Sequence, residues 1–161
     1  MNSYLTSKIN CRNHKIKTFF SAGLLLTGYN RKTKSNMKNA INWFQIPVTD
    51  MNRAIKFYNT ILSADLSAVD VMGTKVALLP YEKENGGVGG ALYAGQEFTP
   101  SYKGTLVLLN AGDNLSKVLS KVEVAGGKIV FPKTKLQNSS GYIARIIDSE
   151  GNQVGLHSFN S

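Results

Sequence analysis

The sequence is poor in cysteine and histidine and has no long apolar run. The single Cys11 excludes a disulfide framework within the chain and is compatible with a reducing compartment. Two histidines, His14 and His157, are too few for a metal site built from histidine. No segment approaches the roughly eighteen uninterrupted apolar residues of a membrane-spanning helix. These features favour a cytoplasmic protein that does not enter a membrane.

Acidic residues are also scarce, but the imbalance of charge is local. The 161 residues include 19 Lys and Arg and 10 Asp and Glu, which gives a net charge of +9. Seven of the basic residues lie in residues 1–36, which hold no acid, so the remainder of the chain is nearly neutral. That remainder has no basic run interleaved with aromatic residues. We therefore expect no binding of nucleic acid.

Residues 1–36 are predicted to form a basic N-terminal extension. Residues 19–26 are apolar and follow a basic segment, as in a secretory signal, but no small-x-small cleavage pattern comes after them. A disordered extension, an upstream start codon with Met37 as the true initiator, and a targeting role all remain open.

The rest of the chain contains one pattern twice. Residues 41–50 and 104–113 each form an apolar strand that ends in an aspartate, Asp50 or Asp113, followed by an amphipathic stretch. Aspartate is a favoured cap for the first turn of a helix. Two helices are therefore predicted, the first starting after Asp50 and the second after Asp113, with Gly126 ending the second.

The remaining apolar runs are predicted to be strands. They cover residues 65–70, 75–80 and 88–93 after the first helix, and residues 128–132, 142–148 and 153–159 after the second. Each half thus has the order strand, helix, strand, strand, strand. The predicted domain, residues 37–161, divides into module one at 40–95, a linker at 96–103 and module two at 104–160.

This order and several motifs resemble the vicinal oxygen chelate superfamily, which includes glyoxalase I, bleomycin-resistance proteins and extradiol dioxygenases. The resemblance rests on two motifs, Ile-Pro-Val-Thr-Asp at 46–50 and Asp-Ser-Glu-Gly-Asn-Gln-Val-Gly-Leu-His-Ser at 148–158. The second motif is similar to the ending of a glyoxalase-related subfamily of predicted enzymes. The resemblance implies an α+β fold in which two tandem βαβββ modules form a pair of curved, mixed-sheet half-barrels around one cavity. It also implies a possible homodimer.

Metal-dependent members of this superfamily place His or Gln on the first strand of each module and Glu or His on the last. Carried over to this chain, those four positions fall on Trp43, Gly90, Thr105 and Gly155. None of these side chains is the expected ligand. The resemblance therefore predicts no metal and no other cofactor.

If those four positions face the cavity, strand alternation selects the residues that would line it. The predicted substrate-binding residues are Trp43, Gln45, Leu92, Thr105, Val107 and Leu109, with His157 as the catalytic candidate. Each has a structural alternative. His157 is either an acid/base or a hydrogen-bonded structural histidine, Gln45 either binds substrate or satisfies a strand edge, and Trp43 either packs or recognises the ligand.

Such a lining suits a small, mainly apolar molecule that carries a carbonyl or hydroxyl group. The first hypothesis is a lyase- or isomerase-type enzyme without the usual metal, with His157 as acid/base and Gln45 or Thr105 orienting the substrate. The alternative is a protein that sequesters a drug or metabolite, as bleomycin-resistance proteins do. A third possibility is an oligomeric scaffold with a vestigial pocket.

Overall fold

A computed structural model describes residues 39–138 and 140–160. The predicted N-terminal extension lies outside the described residues. The elements of the first module are β1 (Trp43–Pro47), α1 (Met51–Leu62), β2 (Ala68–Val71), β3 (Thr74–Leu78) and β4 (Gly89–Ala94). Those of the second are β5 (Leu108–Asn110), α2 (Leu115–Val122), β6 (Lys128–Lys135), β7 (Tyr142–Ile147) and β8 (Gln153–Ser158).

The two modules have the same sheet topology. The strand order is β1-β4-β3-β2 in the first sheet and β5-β8-β7-β6 in the second. In each sheet the first strand pairs in parallel with the last, and the other neighbours are antiparallel. The predicted α+β class with two βαβββ modules is confirmed.

Helix α1 begins where the sequence predicted. Asp50 is its N-cap, and its side chain accepts a hydrogen bond of 3.0 Å from the backbone N–H of Arg53. Ser63 closes the helix in the left-handed conformation, with φ of 53°. The buried stripe consists of Met51, Ala54, Phe57, Tyr58 and Ile61. Ile55 and Leu62 of the same helix are partly buried and pack against the apolar core.

Helix α2 begins one residue later than expected. Asn114, not Asp113, is the N-cap, and its side chain accepts from the backbone N–H of Lys117 at 3.0 Å. A turn displaces the aspartate, since Gly112 has φ of 66° and donates its N–H to the side chain of Asn110 at 2.9 Å. Glycine adopts this backbone conformation without steric cost. The capping function has therefore passed to the next residue that can accept a hydrogen bond.

Strand β5 is shorter than predicted, starting at Leu108 instead of residue 104. The preceding segment still runs beside β8, because Gly155 donates its N–H to the carbonyl of Val107 at 2.8 Å. Gln153 likewise donates to the carbonyl of Ser101 at 3.1 Å. The end of the linker is thus attached to the second sheet, although it does not form a regular ladder.

One apolar core continues through both modules. Its largest fully buried side chains include Tyr58, Phe57, Leu92, Leu115 and Leu156. The helices cover one face of each sheet, and the opposite faces keep large apolar side chains in solvent, such as Leu78 at 52% and Leu108 at 49% exposure. Within the described part of the chain, no helix has the length and apolarity needed to cross a bilayer.

Candidate functional site

Strand β1 presents Trp43 and Gln45 on the face that the helices leave uncovered. Ile46, between Gln45 and Pro47, is 3% exposed and points into the core. The parallel register pairs Trp43 with Gly89 and Gln45 with Ala91, so the uncovered side of β4 carries no large side chain at these two positions.

The structure corrects the expected orientation of Leu92 and Leu109. Leu92 is fully buried, because its partner across the ladder is Ile46 and both side chains enter the core. Leu109 is 7% exposed and belongs to the same core. A one-residue difference in strand register reverses the face of every side chain. On the uncovered side of the second sheet, Leu108 therefore lies beside Gly155.

A cavity of about 540 Å³ opens beside Trp43, and we call it the aromatic cavity. The ring of Tyr81 also lines it and contacts Trp43 edge-on at 89°, with ring centroids 5.9 Å apart. Both aromatic side chains are partly exposed, Trp43 at 41% and Tyr81 at 39%. Lys83, residues 39–42 and the glycine-rich segment 86–89 complete the lining.

Gly89 allows Trp43 to occupy this position. A methyl group placed on Gly89 would collide with the indole ring of Trp43 and lie 3.2 Å from Cδ1 of Tyr81. The bare backbone of Gly89 is therefore the surface on which Trp43 rests. The wall of the aromatic cavity depends on a residue that contributes no side chain to it.

We expect Gly89→Ala to displace Trp43. Since the protein has a single tryptophan, its fluorescence reports this position directly, and the emission maximum should shift to longer wavelength as the ring becomes more solvated. Gly126→Ala is the control, because it introduces backbone strain at φ of 95° in a place with no neighbouring atoms. An unchanged emission spectrum in folded Gly89→Ala would contradict this account of the wall.

A smaller cavity of about 180 Å³ lies between β1 and module two, and we call it the junction cavity. It brings together Gln45, Thr105 and Val107, three of the predicted substrate-binding residues, with Pro47 and Gln153. Trp43 and Gln45 thus belong to the same strand face but line different cavities.

His157 makes a specific hydrogen bond. Its Nε2 lies 2.8 Å from the carbonyl oxygen of Ser140, and because a carbonyl only accepts, Nε2 donates the proton. The ring of Phe159 packs edge-on against the imidazole, with centroids 4.9 Å apart. His157 lines neither the aromatic cavity nor the junction cavity. These contacts with Ser140 and Phe159 support the alternative in which His157 is a hydrogen-bonded structural histidine.

The residues at the four ligand positions implied by the resemblance do not fit a divalent metal. Trp43 offers an indole N–H, which is a donor only, and Gly90 and Gly155 have no side-chain atoms to coordinate. Thr105 lies apart from Trp43, in the junction cavity. Across residues 39–138 and 140–160, no three His, Cys, Asp or Glu side chains form a group that could hold an ion. No reaction step through a bound metal follows from these residues.

Glu150, in the turn between β7 and β8, joins the two modules. The Glu150 side chain is buried and accepts hydrogen bonds from the backbone N–H groups of Thr49 and Asp50, both at 2.9 Å. It also accepts from Arg53 Nε at 2.7 Å and from the Thr49 hydroxyl at 2.8 Å. Burial raises the pKa of Glu150, but the bonds from Arg53, Asp50 and Thr49 outweigh burial and lower the pKa to about 2.

Asp148 and Asn152 extend this contact. The Asp148 carboxylate accepts from the Tyr58 hydroxyl of α1 at 2.8 Å, and from the backbone of Glu150 and Asn152. Asn152 donates to the carbonyl of Pro47 at 2.8 Å and to Asp148 at 2.9 Å. We call Asp148, Glu150 and Asn152 the inter-module clamp. The three clamp residues lie in the motif at 148–158, which carries the family resemblance but does not reveal their contacts with module one.

The sequence matches the Glyoxalase/Bleomycin resistance protein/Dioxygenase superfamily over residues 40–156. The chain belongs to this superfamily. No curated protein matches the sequence.

Among solved structures, a mutant of glyoxalase I from Zea mays is similar, with 26% identity and a TM-score of 0.57 over 73% of this chain. The chain spans only 45% of the maize protein's length. A glyoxalase-related enzyme from Fulvimarina pelagi has 11% identity and a TM-score of 0.55, over 76% of this chain and 88% of its own. A fosfomycin resistance protein from Listeria monocytogenes has 12% identity and a TM-score of 0.52, over 76% and 94%. The last two comparisons show the fold alone.

Proposed function

We propose that this protein binds a small, mainly apolar molecule bearing a carbonyl or hydroxyl group in the aromatic cavity, against the rings of Trp43 and Tyr81. The observation that carries the proposal is the perpendicular pair of partly exposed aromatic rings that lines a cavity of about 540 Å³. This volume is within the roughly 300–1,000 Å³ of small-molecule sites, whereas the junction cavity, about 180 Å³, is below it.

The polar groups of the aromatic cavity suit the orientation of such a ligand. Lys83 and Asn42 line it, and neither side chain is hydrogen-bonded to another described residue. Both can donate to a carbonyl or hydroxyl oxygen. The nearby backbone is already occupied, since Gly87 donates to the carbonyl of Glu82 at 2.9 Å and Asn39 donates to that of Gly86 at 3.1 Å. Specificity would therefore rest on side chains rather than on the backbone.

Binding without turnover is the function that this geometry supports best. No carboxylate or imidazole lines the aromatic cavity, so a proton acceptor suited to neutral pH is missing from its described wall. The lyase- or isomerase-type reaction expected from the sequence is the second candidate. It is supported by the place of His157 on the same uncovered face as Gly155, with Nδ1 bonded to no described residue. We propose that neither of these two candidate functions uses a bound metal.

The test uses the indole N–H signal of Trp43 in the NMR spectrum, with cyclohexanol and cyclohexanone as probes. We expect a saturable shift of this signal, and we expect Tyr81→Ala to weaken binding about tenfold, because aromatic residues such as tyrosine often carry a large share of the binding energy. Tyr102→Ala is the control, because this tyrosine is 62% exposed and lies outside the aromatic cavity.

Absence of a saturable shift with both probes, or equal losses in the two tyrosine variants, would overturn the proposed site. Conversion of a bound probe that disappears in His157→Ala would favour the enzyme. The homodimer and the cytoplasmic location expected from the sequence stay predictions.

A further inference from the structure

A third cavity, of about 150 Å³, contains two cations and no carboxylate in its described wall, and we call it the basic cavity. Its wall is formed by residues 101–106 of the linker and β5 approach, together with Arg145 of β7 and Gln153 of β8. Lys103 of the linker and Arg145 of the second module therefore reach one small space.

Arg145 is held on the uncovered face of the second sheet. The register pairs it with Gly155 on one side and Phe131 on the other. The guanidinium carbon lies over the ring of Phe131, 4.7 Å from its centroid, and this cation–π contact restrains the side chain. Gly155, with no side chain, leaves space beside it.

Within residues 39–138 and 140–160, neither Lys103 nor Arg145 forms an ion pair with an acidic side chain. The ion pairs found there join Arg53 to Asp50 and to Glu150. Two positive charges that share a small cavity repel each other, so a bound anion would relieve an unfavourable contact.

The neutral groups of the basic cavity also suit an anion. Ser101 Oγ accepts the backbone N–H of Lys103 at 3.0 Å, which leaves its hydroxyl hydrogen available to donate. Thr105 and Gln153 add a hydroxyl and an amide whose side chains are not bonded to any described residue. Donors therefore dominate the wall.

We propose that the basic cavity is a binding site for an oxyanion, the carboxylate or phosphoryl group of a small molecule. The Arg145 fork would take two of its oxygens, and Lys103 and Ser101 would complete the shell. A volume of about 150 Å³ corresponds to roughly five water molecules, which suits an anionic group and a short chain.

The junction cavity continues from this point, because Ser101, Lys103, Thr105 and Gln153 line both spaces. A ligand held by its anionic group in the basic cavity could therefore extend toward Gln45 in the junction cavity. The class of ligand is a short-chain carboxylate or phosphate ester. This site uses none of the residues assigned to the aromatic cavity, so it stands or falls independently of the proposed function.

Isothermal titration calorimetry of the full chain at low salt, with pyruvate in one arm and inorganic phosphate in the other, tests the site. We expect saturable binding of at least one anion, weakened at least tenfold in Arg145→Gln and Lys103→Gln, since each removes a charge-assisted hydrogen bond. Lys117→Gln is the matched control, because it removes the same charge from the exposed face of α2. The arm that binds more tightly identifies the carboxylate or the phosphoryl group.

Arg145→Lys keeps the charge and loses the fork, so it separates a bidentate contact from general attraction and guards against a variant that misfolds. We expect it to bind more weakly than wild type while its thermal unfolding midpoint is unchanged. Equal weakening in Lys117→Gln, unimpaired binding in both Arg145 variants, or no saturable binding of either anion would overturn the proposal.

Discussion

Replacement of Glu150 by glutamine should lower the free energy of unfolding at pH 7 by about 2 kcal/mol, because the buried carboxylate accepts hydrogen bonds that an amide cannot all accept. Glutamine keeps the shape of the side chain but removes the charge that Arg53 contacts at 2.7 Å. Its amide group also replaces one of the two carboxylate oxygens, so a donor would face Arg53 or the N–H groups at the start of α1. Urea denaturation measures the change.

The same carboxylate predicts how stability depends on pH. The pKa of Glu150 is about 2 in the folded protein, below the ordinary value of 4.5. Its contribution is therefore complete above pH 4.5 and is lost as the pH falls toward 2. The wild type should lose stability across this window, and Glu150→Gln should lose about 2 kcal/mol less over the same range, since solvent around the half-exposed Arg53 screens part of the contact.

Glu84→Gln is the control for Glu150→Gln, because Glu84 is exposed in the turn after β3. We expect its unfolding free energy to match the wild type within about 0.5 kcal/mol, as for most surface substitutions. If the two glutamine variants had the same stability at pH 7, the inter-module clamp would not stabilise the fold as described.

Replacement of Asp148 by asparagine should cost about 2–3 kcal/mol. The carboxylate is 3% exposed, and Oδ1 accepts the backbone N–H groups of Glu150 and Asn152 at 2.9 and 2.8 Å. Oδ2 accepts from the Tyr58 hydroxyl and from Asn152 Nδ2. An amide nitrogen in place of Oδ2 would meet the donor of Asn152, so a buried donor would be left unsatisfied.

Tyr58→Phe isolates the contribution of the hydrogen bond between the Tyr58 hydroxyl and Asp148. Burial, together with the neighbouring Asp148, raises the pKa of Tyr58 well above its ordinary value, so the hydroxyl is protonated and donates at neutral pH. Its loss removes one donor and leaves Asp148 with three, and we expect a cost of about 1 kcal/mol. In a double-mutant cycle the Asp148 and Tyr58 substitutions should be non-additive. Additive losses would show that the two side chains act separately.

The predictions for Glu150 and Asp148 both concern the attachment of module one to module two. Asn152 connects the carbonyl of Pro47 at the end of β1 with the backbone N–H of Ser101 in the linker, at 2.8 and 3.0 Å. These are also walls of the junction cavity. Through Asn152, the inter-module clamp therefore helps to set the position of Gln45 relative to Thr105.

Local patterns were sufficient for the elements of the fold. Asp50 and the apolar spacing from Met51 to Ile61 predicted α1 correctly, because capping and amphipathicity depend on residues a few positions apart. Local patterns could not predict which faces of β4 and β5 point into the core. Leu92 and Leu109 entered the core because of their pairing with Ile46 and Leu156, which no spacing within one strand reveals.

The sequence by itself determined the paired βαβββ modules and the cap at Asp50, since these follow from residue type and local order. The four expected metal-ligand positions came instead from the family resemblance. Only the tertiary structure decided that Trp43 meets Tyr81, that Arg145 and Lys103 share a cavity, and that Glu150 holds α1 of the other module. Each of these contacts joins residues from separate elements. Their proximity depends on strand register and on the packing of the modules, which the order of residues along one element does not contain.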